Sequence, residues 1–577
     1  MGIFNLCMFD PFYSKSTDPE FPYLVNGLNC ATFNFNRIGH IDYPGTPFQV
    51  FSGIVIRITH LISGQGNIAQ DVFARPEHYL KAISLALTLV QAALILAIGF
   101  VGFKRKIPSW QLVILQASCF FNDVSMWLFS RANPDRFFMI ITLIFILIYL
   151  KHGYENRSSW KFALWSGTVM ALGLATKFNY IPLLLLPLLI IRTNKNRLIY
   201  VGSGIVSFFI FILPIINKFV EYRRFIVGIF KHDGLYGGGN TKVINLQKII
   251  ENVHEIFRLN PELSLLILTL VILLFIAIRR RKQLNTFGDS SFLFAGFLLI
   301  ILLQMLIVSK HFKNYYLVPT FTIYGFIFFS LSTFLSTMLK KKKQLILTSS
   351  ILPLLFFTAT IGKVCSDFAP MKKEIAEREK ILDFVKNEVS KNDIWFVEPT
   401  WESAPYPENA LVYGLSYCAG KEAYLPLLMN INPNIITYEG EKNNAKFWRI
   451  APANLDSILA EGMNILIYST PGRNAPQLTQ ILQDVATRSN LRLDSDTIYS
   501  DSRTNNKIIK LNAIKTSTNW SPQPQINLRQ NKIESYIQTI KNTPDWLSKI
   551  ERKSKEKGIS LDSMILLDAT WMVDNEK

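Results

Sequence analysis

Long apolar runs constrain the fold of this chain more than any other feature of its sequence. Most approach the roughly 20 residues that a helix needs to cross a bilayer. Two are short, 137–150 and 180–191, and Pro182 and Pro187 interrupt the second, so we expect tilted, kinked or enclosed helices there. The ten candidate spans lie near residues 79–103, 110–129, 137–150, 161–176, 180–191, 198–217, 263–278, 291–309, 316–338 and 345–361. The sequence therefore predicts an integral membrane protein.

Composition supports a membrane protein and argues against a nucleic-acid partner. Of the 577 residues, 49% are hydrophobic, and the mean hydropathy is +0.22, which is high for a soluble protein of this length. The net charge of +19 would suggest nucleic-acid binding in a soluble protein, but the basic residues cluster between apolar runs. The five cysteines show no C-x-x-C spacing, which argues against a metal or redox motif.

The loops between the apolar runs divide into two sets by charge. The positive-inside rule assigns the basic set to the cytoplasm. Its main clusters lie at 104–106, 192–197, 279–282 and 340–343. We therefore predict a first exterior loop with surface helices at 1–78, a transmembrane helical bundle at 79–361, and an exterior α/β domain at 362–577.

Outside the bundle, short patterns predict individual elements. Residues 48–62 are apolar but contain Arg57 and His60, which favours a helix lying along the membrane surface. The tail alternates between helical periodicity and buried-strand patterns, as an α/β domain does. Its predicted elements are helices at 371–389 and 476–488, strands at 394–399 and 464–469, a hairpin at 497–514 and peripheral helices within 516–577.

The first predicted exterior segment contains most of the candidate acidic groups. Asp18 and Glu20 bracket a proline, and His40 and Asp42 follow before a Pro-Gly-Thr-Pro turn. A carboxylate just outside a bilayer can act as a general base when substrate binding partly desolvates it. The alternative is that Asp18 only caps a helix or a turn before Pro19.

Later exterior loops supply cations beside aromatic rings, a combination that suits a lipid phosphate. Each also has a structural alternative: an N-cap with local ion pairs for Asp135, snorkelling for Lys177, and an interfacial anchor for the loop at 310–316. The candidates are Arg131 and Asp135 in the second loop, Lys177 in a short turn, and Lys310, His311, Tyr315 and Tyr316 in the fifth loop.

These motifs together resemble the GT-C superfamily of membrane glycosyltransferases. The likeness is greatest to the bacterial branch that includes lipid A aminoarabinose transferases and relatives of protein O-mannosyltransferases. The matching stretches are STDPE at 16–20, GHIDYPGTP at 39–47, NPD at 133–135, GLATKFNYIPLL at 173–184 and KHFKNYYLVP at 310–319. The resemblance implies a GT-C-type bundle with a further transmembrane helix ahead of residue 10, which the short apolar stretch at 1–9 does not provide.

The resemblance also implies an activity, hexosyl or pentosyl transfer from a polyprenyl-phosphate sugar to a lipid, glycan or protein acceptor. Transfer would occur with inversion on the exterior side of a bacterial inner membrane. Asp18 is the implied general base, with Glu20 as a second catalytic acid. Lys177 and the Lys310–His311 region would stabilise the leaving phosphate. Further substrate-binding positions are His40, Asp42, Arg131, Asp135, Tyr315 and Tyr316.

Two other classes of protein remain open at this stage. A transporter or flippase of lipid-linked saccharides would need ionisable residues and broken helices at the membrane midplane. A non-catalytic receptor or scaffold would act through the tail. No cofactor is certain, and a divalent metal could bridge acid and phosphate as in some GT-C relatives, although we expect metal independence.

Overall fold

The computed structural model is built mainly of helices, with one mixed sheet in its C-terminal half. It describes residues 11–14, 20–42, 45–232, 245–280, 286–339, 341–398, 404–438, 445–470, 475–501, 505–515, 536–538, 540–541, 544–557 and 560–575. The helices are α1 (Glu20–Ala31), α2 (Thr46–Ser63), α3 (Ile68–Ala74), α4 (Pro76–Lys104), α5 (Ser109–Gln116), α6 (Asp123–Leu128), α7 (Pro134–Ile148), α8 (Trp160–Thr176), α9 (Leu185–Ile190), α10 (Asn194–Phe211), α11 (Phe219–Lys231), α12 (Leu246–Leu259), α13 (Pro261–Arg280), α14 (Thr286–Lys310), α15 (Val318–Thr322), α16 (Tyr324–Met338), α17 (Lys342–Glu388), α18 (Pro407–Ser416), α19 (Leu425–Ile431), α20 (Leu455–Ala460), α21 (Ala475–Arg488), α22 (Pro544–Lys557) and α23 (Leu561–Asn575).

The helices of the first two-thirds of the chain form a polytopic bundle. Within the described residues, six are long and apolar enough to cross a membrane. They are Pro76–Lys104, Pro134–Gly153, Pro261–Arg279, Ser290–Lys310, Asn314–Met338 and Lys342–Glu388. The bent pair α10 and α11 would add a seventh if it counts as one span. The chain is thus an integral membrane protein, as the apolar runs predicted.

By this criterion of length and hydropathy, the prediction of ten spans was too high. The stretch at 110–129 breaks into two short helices, because the Asn122 side chain accepts amide hydrogen bonds and starts α6 afresh. The stretch at 161–176 is a helix of 17 residues. The stretch at 180–191 begins as a 3₁₀ helix containing Pro182, which cannot donate a helical hydrogen bond. Apolar runs therefore located the helices but overstated their continuity.

The tail contains a seven-stranded sheet with the order β4-β3-β2-β1-β5-β7-β6. The central strand β1 pairs in parallel with β2 and with β5. All four residues of β1 are buried, and Trp395 stacks on Tyr406 with ring centroids 4.1 Å apart. The strands are β1 (Ile394–Val397), β2 (Ile435–Tyr438), β3 (Ala445–Phe447), β4 (Ala451–Pro452), β5 (Ile465–Ser469), β6 (Leu491–Ser500) and β7 (Lys507–Lys515). β1, β5, α21 and the β6–β7 pair coincide with the predicted elements.

The chain divides into two compact units. In the larger unit, α17 runs without a break across the predicted domain boundary between residues 361 and 362. One helix is therefore shared by the bundle and the α/β part. The smaller unit includes residues 514–577, where α22 and α23 pack together and Lys553 forms an ion pair of 2.9 Å with Asp568.

The segment that follows α1 docks on the α/β part of the larger unit. The Gly39 amide donates to Asn26 Oδ1 at 3.0 Å, and Asn26 Nδ2 donates to the Tyr417 carbonyl at 3.0 Å. Ile38 forms an antiparallel bridge with Cys418. A Cβ atom on Gly39 would lie 2.5 Å from the Tyr417 carbonyl oxygen. This close approach therefore requires glycine.

We expect Gly39→Ala to destabilise the larger unit, because the added methyl group must push the Tyr417 backbone away. Overpacking of this kind lowers the free energy of unfolding by about 1–3 kcal/mol. The measurement is the Tm of the detergent-purified protein. Gly202→Ala in α10 is the matched control, since its Cβ would meet no atom within 4 Å. Equal Tm values for the two variants would contradict this account of the interface.

Candidate functional site

Glu20 and Arg131 form a partly buried ion pair between the start of α1 and the turn before α7. Glu20 is 1% exposed, whereas the Arg131 side chain is 25% exposed. Arg131 Nε donates to Glu20 Oε1, and Arg131 Nη2 donates to Oε2 at 2.6 Å. Bidentate, charge-assisted pairs hold a carboxylate in one geometry. Glu20 therefore fixes the position of the first turn of α1, just after the segment that contains Asp18.

Asp135 and Lys177 form a second, more deeply buried ion pair. Lys177 Nζ donates to both carboxylate oxygens of Asp135, at 3.0 and 2.9 Å. The side chains are 2% and 5% exposed, so Lys177 does not snorkel to solvent. Nor does Asp135 cap α7, because Asn133 accepts the hydrogen bond from the Arg136 amide. Both structural alternatives for this pair are therefore wrong.

Two tyrosine rings cover the Lys177 ammonium. The nitrogen lies 5.2 Å from the Tyr315 ring centroid and 4.8 Å from that of Tyr316, within cation–π range. The Tyr316 carbonyl accepts hydrogen bonds from Asn179 Nδ2 at 2.9 Å and Gln304 Nε2 at 3.0 Å. These bonds join the turn after Lys177 to the loop that contains the tyrosines.

His40 lies at the same site, between rings from two parts of the chain. Its ring centroid is 4.7 Å from those of both Tyr23 and Tyr417. His40 is 5% exposed, and its Nδ1 has no hydrogen-bond partner among the described residues. Burial, and next the positive charge of Lys177, lower the pKa of His40 to about 3. The imidazole is therefore neutral at physiological pH.

Backbone contacts and electrostatics bring these groups together. The Gly45 amide donates to the Thr176 carbonyl at 3.2 Å, joining the first segment to the turn of Lys177. The positive charge of Arg131 and the negative charge of Glu20 are both close enough to act electrostatically on the Asp135 carboxyl group. The structure thus gathers seven of the predicted residues into one cluster, which we call the charged cluster: Glu20, His40, Arg131, Asp135, Lys177, Tyr315 and Tyr316.

The remaining predicted residues are placed differently. Asp18 lies outside the described residues. Asp42 is half-buried, and burial raises its pKa. Lys310 donates to the carbonyls of Ile229 and Phe230, at the end of α11, and so supports that helix. His311, next to Lys310, is half-buried.

Arg136 is a buried cation whose importance the sequence interpretation missed. It is fully buried and donates to Ser84 Oγ at 2.7 Å, to Thr88 Oγ1 at 2.5 Å and to Gln91 Oε1 at 3.2 Å. Its Nη1 also donates to the Arg131 carbonyl at 3.1 Å, which fixes the turn of Arg131. The signal was present in the sequence, because Ser84, Thr88 and Gln91 recur along one face of an otherwise apolar span.

The described residues do not fit a resident divalent metal. They contain no group of three His, Cys, Asp or Glu side chains that could hold one. Glu20 and Asp135 are the candidate carboxylate ligands in the cluster. Glu20 is already paired with Arg131, and Asp135 is already paired with Lys177. A metal at either carboxylate would have to displace Arg131 or Lys177.

We predict that Lys177→Met destabilises the protein by about 3–5 kcal/mol, because it leaves the Asp135 carboxylate buried without a partner. The double variant Asp135→Leu/Lys177→Met removes both charges and is expected to recover most of the lost stability. The measurement is the Tm of wild type and both variants in one detergent. A double variant no more stable than Lys177→Met would contradict the pairing.

We also predict a pH-dependent stability that arises from His40. Its pKa in the folded protein lies below the ordinary value of 6.5, so only the unfolded state gains a proton as the pH falls below 6.5. Folding stability should therefore fall on acidification, by about 2 kcal/mol at pH 5. His40→Phe keeps an aromatic ring between the two tyrosines and should remove this component. Identical falls in Tm from pH 7 to pH 5 for wild type and variant would refute it.

Comparison with known proteins gives a likeness of low identity. No family model matches the chain, and no curated protein matches it. Among solved structures, the chain is similar to ArnT from Cupriavidus metallidurans bound to undecaprenyl phosphate, with a TM-score of 0.46 and 10% identity over 90% of this chain and 97% of that one. For ArnT from Cupriavidus metallidurans in the apo state, the TM-score is 0.44 and the identity is 12%, with the same coverage.

Proposed function

We propose that this protein is a membrane glycosyltransferase that moves a sugar from a polyprenyl-phosphate donor to an acceptor on the exterior side. The main support is the charged cluster, in which a buried lysine lies under two tyrosine rings beside the Asp135 carboxylate. Transfer from a lipid phosphate needs a cation for the leaving group and a carboxylate for the acceptor proton. Both kinds of group are present in and next to this cluster.

The donor phosphate is proposed to bind at Lys177. Its ammonium is preorganised by Asp135 and by the rings of Tyr315 and Tyr316, so little reorganisation is needed when the phosphate takes up charge. Arg131, with its side chain 25% exposed, can supply a second cation. We propose that Lys310 supports the end of α11 and does not bind the phosphate directly, because its ammonium donates a hydrogen bond to the Phe230 carbonyl.

Asp18 is the proposed general base, and Glu20 is the group that positions it. The Glu20 carboxylate is engaged by Arg131 and is poorly available for proton transfer. Asp18 is two residues before Glu20 in the sequence. Asp18 would take a proton from an acceptor hydroxyl or amine, whose oxygen or nitrogen then bonds to the anomeric carbon. The bond to phosphate breaks, polyprenyl phosphate leaves with the electron pair, and the anomeric configuration inverts.

The acceptor is proposed to enter beside His40. Its unpartnered Nδ1 can accept a hydrogen bond from a substrate hydroxyl or amine, and Asp42 lies two residues further on. Tyr417 packs against His40 from the α/β part, so that part of the protein borders the same space. Charge asymmetry of the loops supports an exterior location for this face and for the C-terminal domain. We propose a bacterial inner membrane as the location of the protein.

A transporter of lipid-linked saccharides is the second candidate. The bend of 75° between α10 and α11 is the observation that favours it, since transporters use broken helices. The charged cluster favours transfer instead, because Asp135 lies at the first turn of α7 and Lys177 directly follows the last residue of α8. These are helix ends and not the middle of a span.

The decisive assay uses purified protein in proteoliposomes with undecaprenyl-phosphate sugars, whose lipid is the one bound in the ArnT structure. We expect wild type to release undecaprenyl phosphate, and Asp18→Asn to lose roughly 100-fold or more in kcat because proton transfer is lost. Asp367→Asn, an exposed carboxylate on α17, is the matched control and should retain full activity.

Equal turnover by Asp18→Asn and wild type would contradict the assignment of Asp18 as the general base. Movement of the intact lipid-linked sugar across the bilayer, with no bond broken, would favour the transporter.

A further inference from the structure

Helix α11 follows a sharp bend in the chain and contacts residues next to the charged cluster. The preceding helix α10 has 18 residues, about 27 Å at 1.5 Å per residue, close to the roughly 30 Å apolar core of a bilayer. It packs along α8 in the bundle. The segment Leu213–Lys231, which contains α11, is bent by 75° from α10. With α10 crossing the bilayer, we infer that α11 runs along the membrane surface.

The exposed face of α11 alternates between apolar and basic side chains. Val220, Val227 and Phe230 are 68%, 38% and 51% exposed. Arg223 and Arg224 are exposed on the same side, at positions three and four residues beyond Val220. Neither arginine forms an ion pair with any residue that the structure describes. Such a face suits the boundary between phospholipid headgroups and acyl chains.

We propose that this face of α11 binds the anionic phospholipid headgroups of the leaflet beside the charged cluster. Charge complementarity supports this partner, since the helix contains three basic residues, Arg223, Arg224 and Lys231, against one carboxylate, Glu221. Basic residues at a membrane surface are drawn to anionic lipids, and guanidinium groups pair with phosphate in a bidentate manner. The apolar side chains of the same face would enter the acyl region.

The bound lipid would also stabilise the charged cluster, because both ends of the α11 region contact residues that are close in sequence to cluster members. At its start, Lys218 donates to the carbonyl of Ile38, two residues before His40. At its end, the Phe230 ring packs on Phe178 with centroids 5.7 Å apart, and Phe178 directly follows Lys177. Lys310 holds the same end of α11 by donating a hydrogen bond to the Phe230 carbonyl at 3.0 Å. Lipid that holds α11 in place thus supports the turn of Lys177.

The test compares Tm in nanodiscs of phosphatidylcholine alone and of phosphatidylcholine mixed with phosphatidylglycerol. For wild type we expect the anionic lipid to raise the Tm by roughly 2–4 °C at low salt, and less at high salt. Arg223→Gln/Arg224→Gln should match wild type in phosphatidylcholine but lose the rise. Arg223→Lys/Arg224→Lys keeps the charge and should retain most of it.

An equal rise in Tm for wild type and the glutamine double variant would overturn the proposal, as would a rise that high salt leaves unchanged. A lower Tm of the glutamine variant in phosphatidylcholine alone would also overturn it, since the arginines would then stabilise the fold without lipid. Because this readout needs no sugar transfer, absence of transferase activity in every lipid would contradict the proposed function and leave the lipid site standing.

Discussion

Asp135 and Lys177 are nearly sealed from solvent, with side chains 2% and 5% exposed, and the surrounding structure has to compensate for their burial. Desolvating two charges costs more than their attraction returns unless further polar and aromatic contacts are added. The tyrosine rings over Lys177 supply such contacts, and the Tyr316 carbonyl is itself held by Asn179 and Gln304. The contacts that stabilise this one ion pair therefore connect helices that are far apart in sequence.

The charged cluster is completed from both the bundle and the α/β part of the chain. The His40 ring packs against that of Tyr417 in a tilted arrangement, and the segment just before it is hydrogen-bonded to the backbone of the same region. Arg136 also supports the cluster, because it donates a hydrogen bond to the carbonyl of Arg131. Positions of the charged groups thus depend on packing between α1, α4, α7 and α18, and a change in any of these contacts should alter the geometry around Lys177.

Sequence patterns predicted the local features of this protein much better than its long-range pairings. Apolar runs and loop charges located the helices, and the strands at Ile394 and Ile465 followed from short β-branched runs. The pairing of Asp135 with Lys177 joins residues 42 positions apart, and that of Glu20 with Arg131 joins residues 111 apart. Nothing in local periodicity specifies such partners. The irregular helix at Pro182 was expected from the residue type, whereas the average hydropathy of 110–129 concealed the break at Asn122.

The central claim is that Lys177 binds the phosphate of a polyprenyl lipid. The most direct measurement is an experimental structure of the protein in nanodiscs that contain undecaprenyl phosphate. The account predicts a phosphate oxygen within about 3 Å of Lys177 Nζ, beside Tyr315 and Tyr316. A lipid phosphate bound elsewhere, out of reach of Lys177 Nζ, would contradict it.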